Sequence, residues 1–261
     1  MSLVEIFLAL FLTGIVTAAM FKVYINQHHA WIMQDNVIEM QQNARASIDE
    51  LTRQLRMTGY GLPNGFPPFE AYDTDPDTII VYYRSSGDCE APIEHAMPNV
   101  SAELRCDGHD ISCFQDGATA YIWDPFVETG EFFVITEVQV AAMHIQHNTT
   151  AFSRTYPSGS LIIMIDRVKY YIDQSDTDHP KLMVQVGAYP PQVYAEDIID
   201  LQFTYTLKNG ATVDTPILIH DTRQIGITVT ARTWKEDVEI EDMPYRFEVY
   251  NSEVNLRNLN I

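Results

Sequence analysis

Residues 1–21 form an apolar run with a single charged residue, Glu5, and this run constrains the fold more than any other feature of the chain. Residues 6–21 carry no charge, and Lys22 is the first basic residue. At about 1.5 Å per residue, a helix of this length crosses the hydrocarbon core of a bilayer. An ionisable group in a membrane core costs roughly 2.5–3.5 kcal/mol on insertion scales, so a carboxylate at position 5 marks a candidate functional site.

Two simpler interpretations of the apolar run fit poorly. A cleavable secretory signal has a basic segment before its apolar core and small residues at a cleavage site, whereas here Glu5 occupies the place of the basic segment. An ordinary single-pass anchor explains the length of the run but not Glu5. The α-amino group of a neighbouring identical chain is a suitable partner for this carboxylate. The pattern therefore favours self-assembly.

A one-sided apolar pattern continues beyond the run, so the helix does not end at the membrane edge. Residues recur at steps of three and four, as on one face of an amphipathic helix: Val37, Gln41, Ala44, Ile48, Leu51 and Leu55. Pro63 is the first proline, and Gly59 and Gly61 supply a stop signal. We therefore predict one helix over about residues 2–57, roughly 80 Å long.

The two halves of this helix need different surroundings. Residues 1–22 form a half-helix that is apolar all round and requires lipid or other helices, whereas residues 23–58 form an amphipathic half-helix that packs on a head. Gly14 is a point of helix flexibility, because glycine inside a helix costs about 1 kcal/mol relative to alanine. A coiled-coil stalk is the alternative, but its apolar repeat is short and is polar at Gln41.

Residues 59–261 predict a globular, β-rich head. β-branched and aromatic segments alternate there with Gly, Pro, Asp and Asn clusters, which predicts strands over 78–83, 118–123, 131–138, 140–145, 161–172, 182–186, 198–207, 224–234 and 245–254. Asn209-Gly210 is a hairpin signal. Strands do not alternate with helices, so we predict an α+β fold: the long helix packed on a mainly antiparallel sheet. Residues 85–117 have weak periodicity and predict a long loop or insertion.

Composition and motifs exclude several classes of function. The net charge of −20 argues against binding to nucleic acid, which requires clustered basic residues. No catalytic triad, metalloprotease motif or phosphate-binding loop is present, so we expect neither an enzyme nor a cofactor. Asp73, Asp75 and Asp77 begin like a calcium loop, but the required Gly and Glu are replaced by Thr78 and Arg84. We therefore predict a polar turn there and no metal site.

Three cysteines and two sequons lie in the head. Three cysteines allow one disulfide in an oxidising compartment, and the short intervening loop favours Cys106–Cys113, with Cys89 as the alternative partner. The sequons begin at Asn99 and Asn148 and are candidate glycosylation sites. A polar cluster that includes Asp173 and His179 reads as a hairpin loop.

The amino-terminal segment Ser2-Leu3-Val4-Glu5, with the apolar stretch, Gly14 and the long helix, resembles a mature type IV pilin. The rest of the chain resembles the larger minor pilins of the PilW type, and more distantly the J-type pseudopilins of type II secretion. The segments that carry this resemblance are residues 39–46, 51–61, 200–205 and 254–258. The resemblance covers essentially the whole chain and is strongest in the first 61 residues.

The resemblance implies a prepilin whose leader has been removed, with Met1 as the new, N-methylated amino terminus. It implies that Glu5 pairs with residue 1 of an adjacent subunit. Residue 1 is Met rather than the usual Phe, and Lys22 stands where many major pilins have a helix-breaking Pro. The expected location is the bacterial inner membrane for the precursor and then an extracellular pilus, with roles in motility or cell adhesion.

Within this resemblance several roles stay open. The chain is expected to be a structural filament subunit whose partners are copies of itself, other pilins, or both. The alternatives are a low-abundance minor pilin that primes assembly at the tip, a head that acts as an adhesin, and a pseudopilin of a secretion machine.

Overall fold

One continuous helix, α1 (Leu3–Met57), begins the fold. The computed structural model describes residues 2–63, 65–84, 89–147, 151–217, 219–237 and 245–258. Ser2 is the N-cap of α1, and Thr58 is its C-cap. Gly59 and Gly61, at φ 83° and 68°, then turn the chain away in left-handed conformations that favour glycine. The predicted helix is confirmed.

The head consists of short and medium strands. They are β1 (Phe69–Tyr72), β2 (Thr78–Tyr83), β3 (Glu90–Pro92), β4 (Leu104–Arg105), β5 (Thr119–Asp124), β6 (Thr129–Val134), β7 (Glu137–Gln139), β8 (His144–Gln146), β9 (Leu161–Met164), β10 (Asp166–Asp173), β11 (Lys181–Val186), β12 (Gln192–Glu196), β13 (Ile198–Leu207), β14 (Thr212–Val213), β15 (Thr222–Arg232) and β16 (Phe247–Asn255). A 3-10 turn, Ile219–Asp221, precedes β15.

The described strands form four sheets with antiparallel pairing. The first has the order β1-β2-β10-β11-β12, and the second β14-β13-β15-β16. The third has the order β3-β9-β5-β6, and the fourth β4-β8-β7. Asn209-Gly210 forms the turn between β13 and β14, with Gly210 at φ 84°. The expected α+β fold, a long helix packed on mainly antiparallel sheets, is confirmed.

The carboxyl-terminal part of α1 packs against the first two sheets and shares one hydrophobic core with them. Its buried row is Asn36, Met40, Ala44, Ser47, Leu51, Gln54 and Leu55. The small Ala44 and Ser47 are 0% exposed and let the helix backbone lie close to the sheets. The predicted face is nearly the observed one, with Val37, Gln41 and Ile48 half-buried at its flank. Burial along α1 begins at Ile32, and residues 23–31 of the predicted amphipathic half are exposed.

The third and fourth sheets belong to an insert between β2 and β10. These two strands pair directly, with Tyr83 opposite Asp166, and the chain between them forms a second hydrophobic core. The described part of the insert is residues 89–147 and 151–164. Residues 89–117 of the predicted loop or insertion lie in this insert, where they carry the short β3 and β4 and buried side chains. Contacts with distant strands, rather than a local period, order this segment.

Aromatic rings join the insert to the rest of the head. Phe66 follows the helix exit, and its ring meets those of Tyr82, Tyr121 and Phe132 at centroid distances of 5.4, 4.6 and 5.8 Å. The three contacts are edge-to-face, a favourable arrangement for ring quadrupoles. The insert therefore packs against the rest of the head and is not connected to it only through its two ends.

The disulfide of the insert joins Cys89 to Cys113, with a Cα–Cα distance of 5.7 Å. The favoured pairing, Cys106–Cys113, is wrong. Cys106 directly follows β4 and lies in the second core as a free thiol, 0% exposed. Burial raises the pKa of the Cys106 thiol to about 12, so it stays protonated and unreactive at neutral pH.

Reduction of the disulfide is expected to destabilise the insert by about 3 kcal/mol, because the bond closes a loop of sequence separation 24. Denaturant unfolding of the oxidised and reduced full chain in detergent measures this difference. The control variant Cys106→Ala keeps the disulfide and is expected to retain the response to reductant. A linked peptide containing Cys106 in mass mapping would contradict the pairing.

Candidate assembly surface

The amino-terminal half of α1 projects from the head as a bare apolar rod. Every residue from Ser2 to Trp31 is exposed, including large side chains such as Leu3, at 85%, and Phe7, at 75%. By length and composition the helix is able to cross a membrane, and its most apolar window buries nothing against the head. Exposed apolar patches of this size mark membrane or protein contact surfaces.

A capping box closes the amino end of this rod. The Ser2 backbone N–H donates to Glu5 Oε2 at 2.8 Å, and the Val4 N–H donates to Ser2 Oγ at 3.3 Å. The sequence carries the Ser-x-x-Glu signal for this motif, which the predicted intermolecular role of Glu5 does not use. Met1 lies outside the described residues, so pairing between Glu5 and the first residue of a neighbour stays a prediction.

The two threonines of the rod do not interrupt its apolar surface. Thr13 Oγ1 donates to the carbonyl of Ala9 at 2.7 Å, and Thr17 Oγ1 donates to that of Thr13 at 2.8 Å. Their hydroxyl groups are therefore satisfied within the helix. Gly14 is helical, and a Cβ added there would meet no atom within 4 Å. Gly14 is thus an open position on the surface of a regular helix, and its flexibility stays a prediction.

A row of stacked rings lies at the end of the rod nearest the head. The rings of Tyr24 and His28 are 6.1 Å apart and tilted by 5°, and those of His28 and Trp31 are 6.2 Å apart and tilted by 13°. Tyr24 and Trp31 are 64% and 61% exposed. The row lies on a different side of α1 from Asn36 and Met40, which pack on the head, so the head leaves it uncovered.

Polar contacts fix the other half of α1 on the head. Glu50 Oε1 accepts from the Tyr170 hydroxyl on β10 at 2.9 Å and from Gln54 Nε2 at 2.9 Å, while Arg53 donates to both carboxylate oxygens. Burial opposes ionisation of Glu50, but these donors outweigh it and lower the pKa of the carboxyl group below its ordinary 4.5. These contacts fasten the carboxyl-terminal half of α1 to β10 of the head.

Substituting Glu50→Gln is expected to lower the free energy of unfolding by about 1–2 kcal/mol at pH 7, because charge-assisted hydrogen bonds are lost. A lowered pKa in the folded state gives stability that is present above pH 4.5 and lost as the pH falls through the folded pKa. The gap between wild type and variant should therefore close below pH 4.5 in denaturant titrations. Asp49→Asn, at an exposed neighbour, is the control, with an expected change under about 0.5 kcal/mol. A constant gap across this range would contradict the assignment.

The acidic turns of the head are structural. Asp77 accepts from the Thr74 N–H at 3.0 Å and from the Phe203 N–H at 2.8 Å, so its side chain connects the turn before β2 to β13. Burial raises the pKa of the Asp77 carboxyl group.

The cluster from Asp173 to His179 forms the predicted loop between β10 and β11. The rings of His179 and Trp234 stack there with their centroids 3.5 Å apart. No group of three or more His, Cys, Asp or Glu among the described residues is arranged to hold a metal ion.

Other polar positions have simple surroundings. Asn99 is exposed, and its Oδ1 accepts from the Ser101 N–H at 3.0 Å within its own sequon. Asn148, the start of the second sequon, lies outside the described residues. On the insert, Asp107 contacts both His95 at 3.1 Å and His144 at 3.5 Å, a network that spacing along the chain did not predict.

Comparison of the chain with protein-family models, with curated proteins and with solved structures finds no match. The feature that most needs explanation is the bare apolar half of α1 with a carboxylate near its end.

Proposed function

We propose that this chain is a structural subunit of a type IV pilus-like filament, assembled through the apolar half of α1. The observation that carries the proposal is the division of one helix into two environments. Residues 36–55 are fixed in the core of the head, while residues 2–31 are exposed throughout. A helix used only for folding would be buried along its length.

Apolar burial supplies the driving force for assembly. Each Å² of apolar surface removed from water contributes about 25 cal/mol, so the exposed apolar side chains between Leu3 and Trp31 favour an environment that covers them. Before assembly that environment is lipid, and afterwards it is the helices of neighbouring subunits. One surface that meets a different surface on the next copy forms an open helical filament.

Glu5 gives the assembly its register. Its carboxylate accepts from Ser2 N–H in the single chain, and the proposed filament replaces this donor with the terminal amine of a neighbouring subunit. A charged donor binds a carboxylate more strongly than a neutral one, most of all in an apolar bundle. The exchange therefore favours the aligned filament over misaligned packing.

Analysis of sheared surface filaments tests the proposal. Intact-mass and amino-terminal analysis of the sheared fraction from native cells should show this chain in the fibres. Dominance of the chain would identify a shaft subunit, and a trace beside a smaller pilin would identify a PilW-like minor subunit at the tip. Absence from every filament fraction, with loss of protein export on gene deletion, would instead identify a pseudopilin.

The insert supports a second candidate function, adhesion by the head. It has its own core and disulfide, and the first core closes through the β2–β10 pairing without it. The insert contributes no residue to the core that α1 shares with the first two sheets, so its surface can bind a partner without disturbing that core. In this case the filament would present the insert to a surface outside the cell.

Excision of the insert tests adhesion separately from assembly. Replacing residues 85–164 by Asn-Gly joins Arg84 to Ile165 through a two-residue hairpin turn. Ile80→Thr and Tyr82→Thr adapt the side chains that the insert covers. Adhesion predicts normal filaments that no longer attach, whereas loss of filaments would show that the insert contributes to assembly.

A further inference from the structure

We propose that the unassembled subunit sits in the bilayer with residues 6–25 in the hydrocarbon core, Glu5 at one headgroup boundary, and the row of Tyr24, His28 and Trp31 at the other. The inference rests on the proposed function only in placing the subunit in a membrane before assembly. It assigns the ring row to a lipid interface rather than to a protein partner.

Length carries the first step. Residues 6–25 rise about 30 Å as a helix, which equals the thickness of a typical hydrocarbon core. This register moves Glu5 out of the core and avoids the cost of burying its carboxylate in lipid. Lys22 is then the only charged residue inside, and it lies within one turn of the boundary, where its four-carbon stem reaches the headgroups.

The ring row spans the boundary at Ile25, with Tyr24 at the edge of the core and His28 and Trp31 beyond it. Trp31 lies about 9 Å further along the helix axis than Ile25, and helical side chains lean towards the amino terminus, back towards the membrane. Headgroup layers add about 5–7 Å on each side of the core. Tyr and Trp are enriched in this layer because their rings are apolar and their edges are polar. Both are more than 60% exposed and unobstructed by the head.

The opposite end suits its own boundary. Glu5 accepts from the Ser2 N–H, so the helix terminus already has a partner for one of its free backbone donors. At the headgroup level the carboxylate is also hydrated. In this register the Glu5 carboxylate avoids the cost of burial in lipid. It also lies at the same depth as the terminal amine of a neighbouring subunit.

Depth-dependent fluorescence quenching tests the register. The chain has three tryptophans, so Trp123→Phe with Trp234→Phe leaves Trp31 as the reporter, and Trp31→Phe with Trp123→Phe leaves Trp234 on the head. The full-length variants are reconstituted in phosphatidylcholine vesicles containing lipids brominated at defined depths. Bromines near the headgroup should quench Trp31 about twofold more than bromines near the chain end. Trp234 should be unaffected.

Two results would overturn the register: strongest quenching of Trp31 by the deepest bromines, or no quenching by any brominated lipid. If the second result came with cross-linking between Trp31 segments, a second copy rather than lipid would cover the row. If Trp123→Phe unfolds the insert, Trp123 is kept in both variants. The quenching of Trp31 is then the difference between Trp234→Phe, which retains Trp31, and the double variant Trp31→Phe/Trp234→Phe, which lacks it. The vesicles contain no filaments, so this experiment tests the membrane register separately from assembly. If Trp31 lies at the interface but Glu5→Ala still assembles normally, the register holds and the proposed filament mechanism is rejected.

Discussion

The Glu5→Ala variant is expected to enter filaments at least about a hundredfold less than wild type. In the proposed filament this substitution leaves the terminal amine of a neighbouring subunit in an apolar bundle without its counter-charge. Removing one member of a buried ion pair costs about 3–5 kcal/mol, and each 1.4 kcal/mol is a factor of about ten. Quantitative immunoblots of sheared filaments, with total cell protein as reference, measure the loss.

Two companion variants separate charge pairing from helix capping. Glu5→Gln keeps an oxygen that can accept from the Ser2 N–H but carries no charge, and Ser2→Ala removes the N-cap hydroxyl but keeps the carboxylate. Charge pairing predicts that Glu5→Gln fails and Ser2→Ala assembles. The head should unfold at the same temperature in all three variants, since Glu5 lies on the exposed rod. Wild-type filament yield from Glu5→Ala would refute the mechanism.

The Gly130→Ala variant is expected to unfold the insert. A Cβ at Gly130 would lie 2.0 Å from the Ile122 carbonyl oxygen and 2.7 Å from a ring carbon of Tyr121. Both neighbours belong to β5, which pairs with β6, so relief requires the two strands to separate. We expect a loss of about 3 kcal/mol or more, at the upper end for an overpacked core. Hydrogen exchange should show lost protection across the third sheet and retained protection in α1.

Gly226→Ala is the matched control, because this glycine also lies within a strand. Its added Cβ would come within 2.4 Å of Thr204 Oγ1, but the side chain of Thr204 is exposed and can rotate away. The expected loss is about 1 kcal/mol. Wild-type protection of the third sheet in Gly130→Ala, or equal losses in the two variants, would contradict the packing argument.

The sequence predicts the elements whose pattern is local and unbroken. α1 has a long apolar periodicity bounded by Ser2 and by Gly59, and its observed limits agree with the prediction. The predicted strands at 78–83 and 198–207 match β2 and β13 residue for residue. In each case, turn-forming residues flank a run with strong β propensity.

Breaks within apolar runs are not predicted by local pattern. Residues 161–172 read as one strand but form β9 in the insert and β10 in the first sheet, with the buried Ile165 between them. Residues 131–138 likewise divide between β6 and β7. A continuous apolar segment carries no mark of the point where it passes from one sheet to another, because tertiary packing sets that point.

The candidate site shows the same division. The apolar rod and the position of Glu5 near its end can be read directly from the order of residues at the amino terminus. The disulfide could not be read in this way, because cysteine spacing cannot specify connectivity and the burial of Cys106 depends on distant strands. The link from Glu50 to Tyr170 joins residues far apart in the chain, so the fixed angle between rod and head had no local signal.

The insert also stands apart from the route that mechanical force takes. In the proposed filament, tension would enter a subunit through the rod and spread into the first two sheets along the buried row from Met40 to Leu55. Where the insert leaves the head, Tyr83 and Asp166 lie opposite each other and their strands bond directly, so load crosses that ladder without entering the insert. Tensile strength and the shape of the outer surface are therefore set by separate parts of the chain. Substitutions on the surface of the insert would therefore not weaken the proposed filament.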